Sequence, residues 1–302
     1  MIQTKANWNF SVGKHSDIIN KIKSCGESFE SKTSRIFKGS STGNDKVFLL
    51  NIKENYENTM LVVSEAVNVP FEIEKAICRP FIYGEDVLRY SVPKTDKYLL
   101  FPYVQVAGKY ELMDIEFLRK EFPLAFSYLE KNKDILLSRK TPLTQETYYK
   151  YSAARSLNEY EQCKILIPDM LVSNRIGFDP DGRLFTGPAI HCPVFKGQVE
   201  NKTFLAILNS KLFWFFISNT STALRGNAYR LTPEFLNVFA FPEIRIQQQA
   251  PIISLVDRIL SAKKSNPQAD TSALEHEIDL LVYDLYGLTP DEIAIVEGTN
   301  NA

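Results

Sequence analysis

The sequence is poor in the residues that build metal sites and covalent cross-links. Its three histidines, His15, His191 and His276, are scattered, and its four cysteines stand at positions 25, 78, 163 and 192 with no two at Cys-x-x-Cys spacing. That excludes a disulfide framework and a zinc ribbon, and predicts reduced, mostly buried thiols. His191-Cys192 is one adjacent pair with no second pair to complete a site, so no metal is expected. There is no Gly-x-Gly-x-x-Gly, no Gly-x-x-x-x-Gly-Lys-Ser/Thr and no His-Glu-x-x-His, so no dinucleotide, P-loop or metalloprotease motif is present. Asp179 and Asp181 resemble the start of a calcium loop whose remainder is missing, and a hairpin turn explains them better. Nothing in the spacing points to a nuclease carboxylate cluster, and no catalytic residue is assigned. With 13 Gly and 15 Pro the chain is neither collagen-like nor of low complexity. No long hydrophobic run occurs: residues 204–217 are interrupted by Asn209, Ser210 and Lys211, too short and too polar to span a bilayer. Residues 1–10 are polar and lack the apolar stretch of a secretory signal, so no membrane association and a cytoplasmic location are expected.

Charge of one sign is missing as well. Thirty-five Lys/Arg against 36 Asp/Glu give a net charge of −1, which excludes a uniformly basic polyanion binder and an acidic disordered chain. The neutral sum hides a split. Residues 243–302 hold four basic residues (Arg245, Arg258, Lys263, Lys264) and ten acidic ones, a balance of −6, which leaves +5 on residues 1–242. The window 131–230 alone carries 14 basic and 8 acidic residues. A moderately basic body with an acidic tail is compatible with phosphate contacts, and equally with an ordinary solvated surface. What the chain has in quantity is apolar and aromatic material: 44% apolar residues, with 20 Phe and 14 Tyr in 302 positions. That is enough for one large domain or two ordinary ones.

The periodicity predicts an α+β fold, a mixed body over residues 1–242 followed by a helical packing module over 243–302. Ile18, Ile19 and Ile22 share one helical stripe, with Trp8 and Phe10 expected to pack nearby. A turn cluster over 38–45 precedes β-type runs at 47–52, 60–63 and 98–103. Residues 77–90 read as a loop, a one-turn helix and a strand leading to Tyr90. Residues 114–138 are helical, with Pro123 opening a second helix. Lys164-Ile-Leu-Ile-Pro168 is a buried strand, residues 175–185 a hairpin turning at Asp181-Gly182, and 191–195 a third strand of that sheet. An apolar helix covers 202–219, and Thr232-Pro233 starts a short one. Amphipathic helices follow at 250–264 and 271–286, the second closed by Gly287.

Three segments combine the residue types that meet nucleic acid. Thr222-Ala-Leu-Arg-Gly-Asn-Ala-Tyr-Arg230 gathers two arginines, an asparagine, a tyrosine and a flexible glycine. Arginine can bind guanine and asparagine adenine through two hydrogen bonds each. The candidate base readers are Arg225, Asn227, Tyr229 and Arg230, then Arg175. Gly39-Ser-Ser-Thr-Gly43 offers hydroxyls and N–H groups to a phosphate, or is a plain turn. The candidate backbone contacts are Lys38, Ser40, Ser41, Thr42, Arg139 and Arg155. Tyr148, Tyr149 and Tyr151, beside Lys150, either line a groove or fill the core.

Five stretches in order resemble the TaqI-like specificity domain found in the C-terminal half of many adenine-N6 DNA methyltransferases and fused type IIG restriction–modification enzymes. They are Ile77-Cys-Arg-Pro-Phe-Ile-Tyr-Gly-Glu-Asp-Val-Leu-Arg-Tyr90 with Tyr98-Leu-Leu-Phe-Pro-Tyr103; Phe122-Pro-Leu-Ala-Phe-Ser-Tyr-Leu-Glu130 with Leu136-Leu-Ser-Arg139; Lys164-Ile-Leu-Ile-Pro168 with Phe178-Asp-Pro-Asp-Gly182; Phe204-Leu-Ala-Ile-Leu-Asn-Ser-Lys-Leu212 with the 225–230 loop and Phe239-Ala-Phe-Pro242; and Ile278-Asp-Leu-Leu-Val-Tyr-Asp-Leu-Tyr-Gly-Leu-Thr289. The resemblance covers residues 35–297, and no single motif in it is diagnostic. It implies recognition of a short sequence in double-stranded DNA and help in presenting an adenine for flipping. It does not fix the reading residues one by one. Members carry a methyltransferase domain with a glycine-rich S-adenosylmethionine loop and an Asn-Pro-Pro-Tyr or Asn-Pro-Pro-Phe tetrapeptide, and neither is present here. The expectation is a chain that binds no cofactor itself and works with a methyltransferase catalytic domain in cis or in trans, as a fragment or a separate subunit. The rival readings are a protein–protein assembly or inhibitor module without a DNA role, and an unrecognised hydrolase or nuclease.

Overall fold

The computed structural model describes residues 13–299; Trp8 and Phe10 lie outside the described residues. The α+β expectation holds, with mixed sheets followed by helices.

A six-stranded sheet runs in the order Phe185–Thr186, Cys78–Ile82, Lys97–Leu100, Leu49–Asn55, Thr59–Ser64, Phe71–Glu74. Its first pair is parallel and the others antiparallel. One face is closed by a core rich in aromatic residues, where Phe48, Phe101, Tyr148, Tyr149, Tyr151 and Tyr160 are essentially inaccessible. Buried tyrosines need a partner for the hydroxyl. Tyr149 donates to the Met113 carbonyl at 2.7 Å, Tyr151 to Leu100 at 2.6 Å and Tyr160 to Thr186 at 2.9 Å. Burial pushes the Tyr149 phenol up to about 12. The 148–151 tyrosines therefore fill the core and line no groove.

A second, four-stranded antiparallel sheet has the order Gly177–Asp179, Lys164–Pro168, Ile190–Phe195, Thr33–Lys38. It forms a wall between two cores. Alternate side chains of a strand point to opposite faces. Accordingly, Ile165 and Ile167 enter a helical core while Leu166 enters the aromatic one. That double burial is why the strand reads as a continuous apolar run. The helical core joins Ile18, Ile19 and Ile22 of Lys14–Ser24 to the helices Asn201–Asn209, Lys211–Thr220, Ile246–Ser265 and Ser272–Leu285. The stripes of the last two thus close on each other and on the 201–220 helices.

Four local expectations differ from the structure. The 202–219 helix is broken at Ser210, whose hydroxyl caps the second helix by accepting the Phe213 N–H at 3.2 Å. The 47–52 run opens with a helical turn, Asp45–Phe48, because the Asn44 side chain accepts the Val47 N–H, and the strand follows. In 77–90 the strand precedes the helical turn: the Asp86 carboxylate accepts the Tyr83 N–H, Gly84–Asp86 closes behind it, and Tyr90 sits in a turn at φ 48°. The 175–185 hairpin is a crossing between sheets. Gly177–Asp179 pairs with 164–166, then the Asp179 carboxylate accepts from the Arg183 and Leu184 N–H groups. Phe185–Thr186 leaves to lie parallel beside Phe81–Ile82. Asp181-Gly182 does turn, with Gly182 at φ 68° against the Glu161–Gln162 backbone, where a Cβ has no room.

Candidate nucleic-acid interface

One end of the four-stranded sheet collects the segments singled out in the sequence. Pro168 is paired with Ile190, and His191 with Lys38. Beyond these pairs the chain leaves as Asp169, enters from Ala189 and leaves as Gly39. On the outer strand Gly177 is paired with Leu166, so Arg175, two residues earlier, reaches the same end. The Asp169 N–H donates to the Ala189 carbonyl at 2.9 Å, and the Leu231 N–H to the Asp169 carbonyl at 2.8 Å. These two bonds tie a small three-stranded sheet onto this end. Its order is Met170–Leu171, Ala228–Arg230, Thr222–Leu224, all antiparallel.

The last two strands form a hairpin with the tip Arg225-Gly226-Asn227. Gly226 and Asn227 both have positive φ, 78° and 56°, a conformation that glycine and asparagine tolerate best. Arg225, Asn227 and Arg230 are exposed, and Tyr229 is half-buried with its ring edge-on to Trp214 at 5.5 Å. The side chains of Arg225 and Arg230 have neither an ion pair nor a hydrogen-bond partner among the described residues. Register places Thr222, Arg230 and Met170 side by side across the three strands, all three exposed.

The second group lies along the 39–43 loop. The Ser40 hydroxyl donates to the Arg155 carbonyl and accepts the Arg155 N–H, at 2.9 and 3.0 Å. Ser41 bridges Ala153. Thr42 donates to the Asp45 carboxylate. The hydroxyls of Ser40 and Thr42 are thus engaged by Arg155 and Asp45. The Arg155 side chain is exposed without a partner among the described residues, and Lys38 is half-buried. The Arg139 guanidinium faces inward, donating to the carbonyls of Leu136, Thr42 and Tyr148. Arg175 likewise donates to the Glu85 and Val87 carbonyls, at 3.2 and 3.3 Å. Both arginines hold loops at this end, while Arg155, Arg225 and Arg230 point free charge outward. A cavity of about 860 Å³ opens beside the 39–43 loop, between it, Tyr83-Gly84 and residues 187–190. Its charges are matched, with Lys46 on Glu65 at 2.7 Å and Lys97 on Asp86 at 3.6 Å. His191, one strand in from Lys38, is driven down to about 4 by burial and by the neighbouring ammonium, so it is neutral at pH 7. No group of three or more metal-ligating side chains occurs among the described residues, and no helix there is long and apolar enough to cross a membrane.

The family model of the TaqI-like C-terminal specificity domain matches residues 79–239, more than half of the sequence. The chain belongs to that family. The match holds the hairpin, Arg139, Arg155 and Arg175, while the 38–42 loop precedes it. Among solved structures this specificity-domain chain resembles the type IIL restriction–modification enzyme MmeI, solved in complex with DNA, at 18% identity and a TM-score of 0.57 over 90% of its length. The type IIG restriction endonuclease BpuSI matches at 14% identity with a TM-score of 0.48. The chain spans 36% and 33% of the length of those two proteins.

Sequence reasoning found the free arginines from composition alone. It missed that Arg139 and Arg175 donate to carbonyls of neighbouring loops, because bonds to distant carbonyls leave no local signal. It also missed Met170 and Thr222, which join Arg230 only through cross-strand register.

Proposed function

We propose that the chain reads a short sequence in double-stranded DNA, as the specificity half of an adenine-N6 methyltransferase of a restriction–modification system. The observation that carries this reading is the exposed Arg225-Gly226-Asn227 hairpin tip. It lies inside a specificity-domain match and is anchored to the end of a doubly buried sheet. A rigid base with a narrow polar tip suits entry into a groove. Arg225, Asn227, Tyr229 and Arg230 then meet base edges, and Lys38, Ser41 and Arg155 meet phosphates. Arg139, Arg175, Ser40 and Thr42 keep the two loops in position. Methyl transfer and the S-adenosylmethionine it consumes belong in this reading to a catalytic domain acting in cis or in trans, since the Asn-Pro-Pro-Tyr tetrapeptide and the donor loop are not in this sequence. The chain is expected to do its work in the cytoplasm, where that DNA is.

A duplex-binding titration of the full chain at two salt concentrations tests the reading. A reader that neutralises several phosphates loses affinity steeply as salt rises, and it prefers some sequences over others. Salt-independent binding, or equal binding to all duplexes, overturns it. Methylation by the purified chain alone overturns the division of labour.

A further inference from the structure

We infer that the outward face of the small sheet and the bend at its edge carry an apolar reading element, Met170 and Val172, that packs on thymine 5-methyl groups in the major groove. The inference rests on the DNA reading above and specifies part of what is read. Met170 and Val172 are 50% and 61% exposed, whereas Leu171 between them is fully buried. Register puts Met170 on the face of Arg230, opposite to that of Leu171, and exposed Val172 follows in the bend just past the strand. Met170 is directly opposite Arg230, and Arg230 opposite Thr222. This face thus presents a hydroxyl, a guanidinium unpaired among the described residues and the Met170 side chain, with exposed Val172 in the bend beside it.

The dimensions agree. A strand of three residues is about 10 Å long, and the major groove is about 12 Å wide and 8.5 Å deep. The chemistry agrees too. Each side chain matches one feature of a base-pair edge: guanidinium with guanine O6 and N7, hydroxyl with donor or acceptor, apolar carbon with the thymine methyl. Exposed apolar carbon beside free positive charge fits a polyanion that also displays methyl groups.

The test uses the full chain and a duplex selected from a random pool. Each thymine is replaced in turn by deoxyuridine, which removes one methyl and keeps the pairing. At least one replacement is expected to weaken binding by the chain about fourfold, the loss that follows from one buried methyl. The variants Met170→Ala or Val172→Ala are expected to bind more weakly and to be indifferent to that same replacement. Because both side chains are exposed, their thermal midpoints are expected to be unchanged. A preferred duplex that lacks thymine, or one whose thymines all tolerate uracil, overturns this inference alone. Absence of any preferred duplex overturns the DNA reading and this inference with it.

Discussion

Lys164 and Asp179 form an ion pair with side chains 1% and 2% exposed, at 2.5 Å. The ammonium also donates to the Tyr160 carbonyl at 2.6 Å. The carboxylate also accepts the Arg183 and Leu184 N–H groups at 3.2 and 2.8 Å. The pair fixes the point where the chain leaves the four-stranded sheet and crosses to the six-stranded one. Lys164→Met keeps the length of the side chain and removes the charge, leaving a carboxylate in the interior with only two N–H donors. Breaking a buried pair from one side costs about 3–5 kcal/mol. With a urea slope of about 3 kcal/mol/M, the unfolding midpoint falls by about 1 M or more. Lys164→Met with Asp179→Asn buries no charge and keeps an acceptor for the two N–H groups, so it is expected to recover about half of the loss. Urea titrations followed by circular dichroism read both. A single variant whose midpoint moves by less than about 0.3 M, under 1 kcal/mol at that slope, refutes the reasoning, since the carboxylate is then not held in a dry interior.

Other expectations follow from the same geometry. Arg139→Ala strips donors from three carbonyls and is expected to cost about 2–4 kcal/mol, with faster proteolysis in the 39–43 loop. Arg139→Lys is not expected to rescue, because an ammonium cannot reproduce the planar fork. His191 lies below its unfolded value, so the stability it contributes is present above pH 6.5 and is lost as pH falls toward about 4. Thermal melts from pH 7 to 4 are expected to show that loss, about 3 kcal/mol, and NMR titration of Lys38→Met to show the imidazole value raised. Only Cys163 is exposed, whereas burial pushes the Cys192 thiol up to about 12 and the Cys78 thiol higher still. A thiol reagent is therefore expected to label Cys163 first in the native chain, and Cys78 and Cys192 only on unfolding. Arg225→Ala and Arg230→Ala are each expected to cost about 1–3 kcal/mol on the preferred duplex if they touch a base, with relaxed preference at one position. If they touch a phosphate, the salt slope falls by about 1 instead.

Much of the fold was legible because local patterns carried it. Ile18, Ile19 and Ile22 form the stripe their spacing gives, and the apolar run 164–168 is buried on both sides. The end of the helix at 285 and the turn at Gly182 stand where glycine demands them. The errors arose where a distant partner decides. Ser210 breaks an apolar stretch by capping, and Asp179 ends a strand whose continuation belongs to another sheet. For the candidate site, composition singled out the free arginines of the hairpin, since charge beside a flexible glycine is a local trait. It also named Arg175, after the hairpin residues, and Arg139, as a backbone contact; their partners lie at Thr42, Tyr148, Glu85 and Val87. Thr222 and Arg230 share one hairpin, but Met170 joins their row by register from a strand more than fifty residues upstream, and no short window of sequence contains all three.

The proposed recognition of sequence in duplex DNA is assigned to the end of the four-stranded sheet. The direct measurement is selection from a random duplex pool by the full chain, in parallel with the Arg225→Ala/Arg230→Ala variant. One short enriched motif is expected for the chain, with binding that weakens steeply with salt, and a motif degraded at one or two positions for the variant. An unenriched pool, or a variant that selects the same motif with the same affinity, contradicts it.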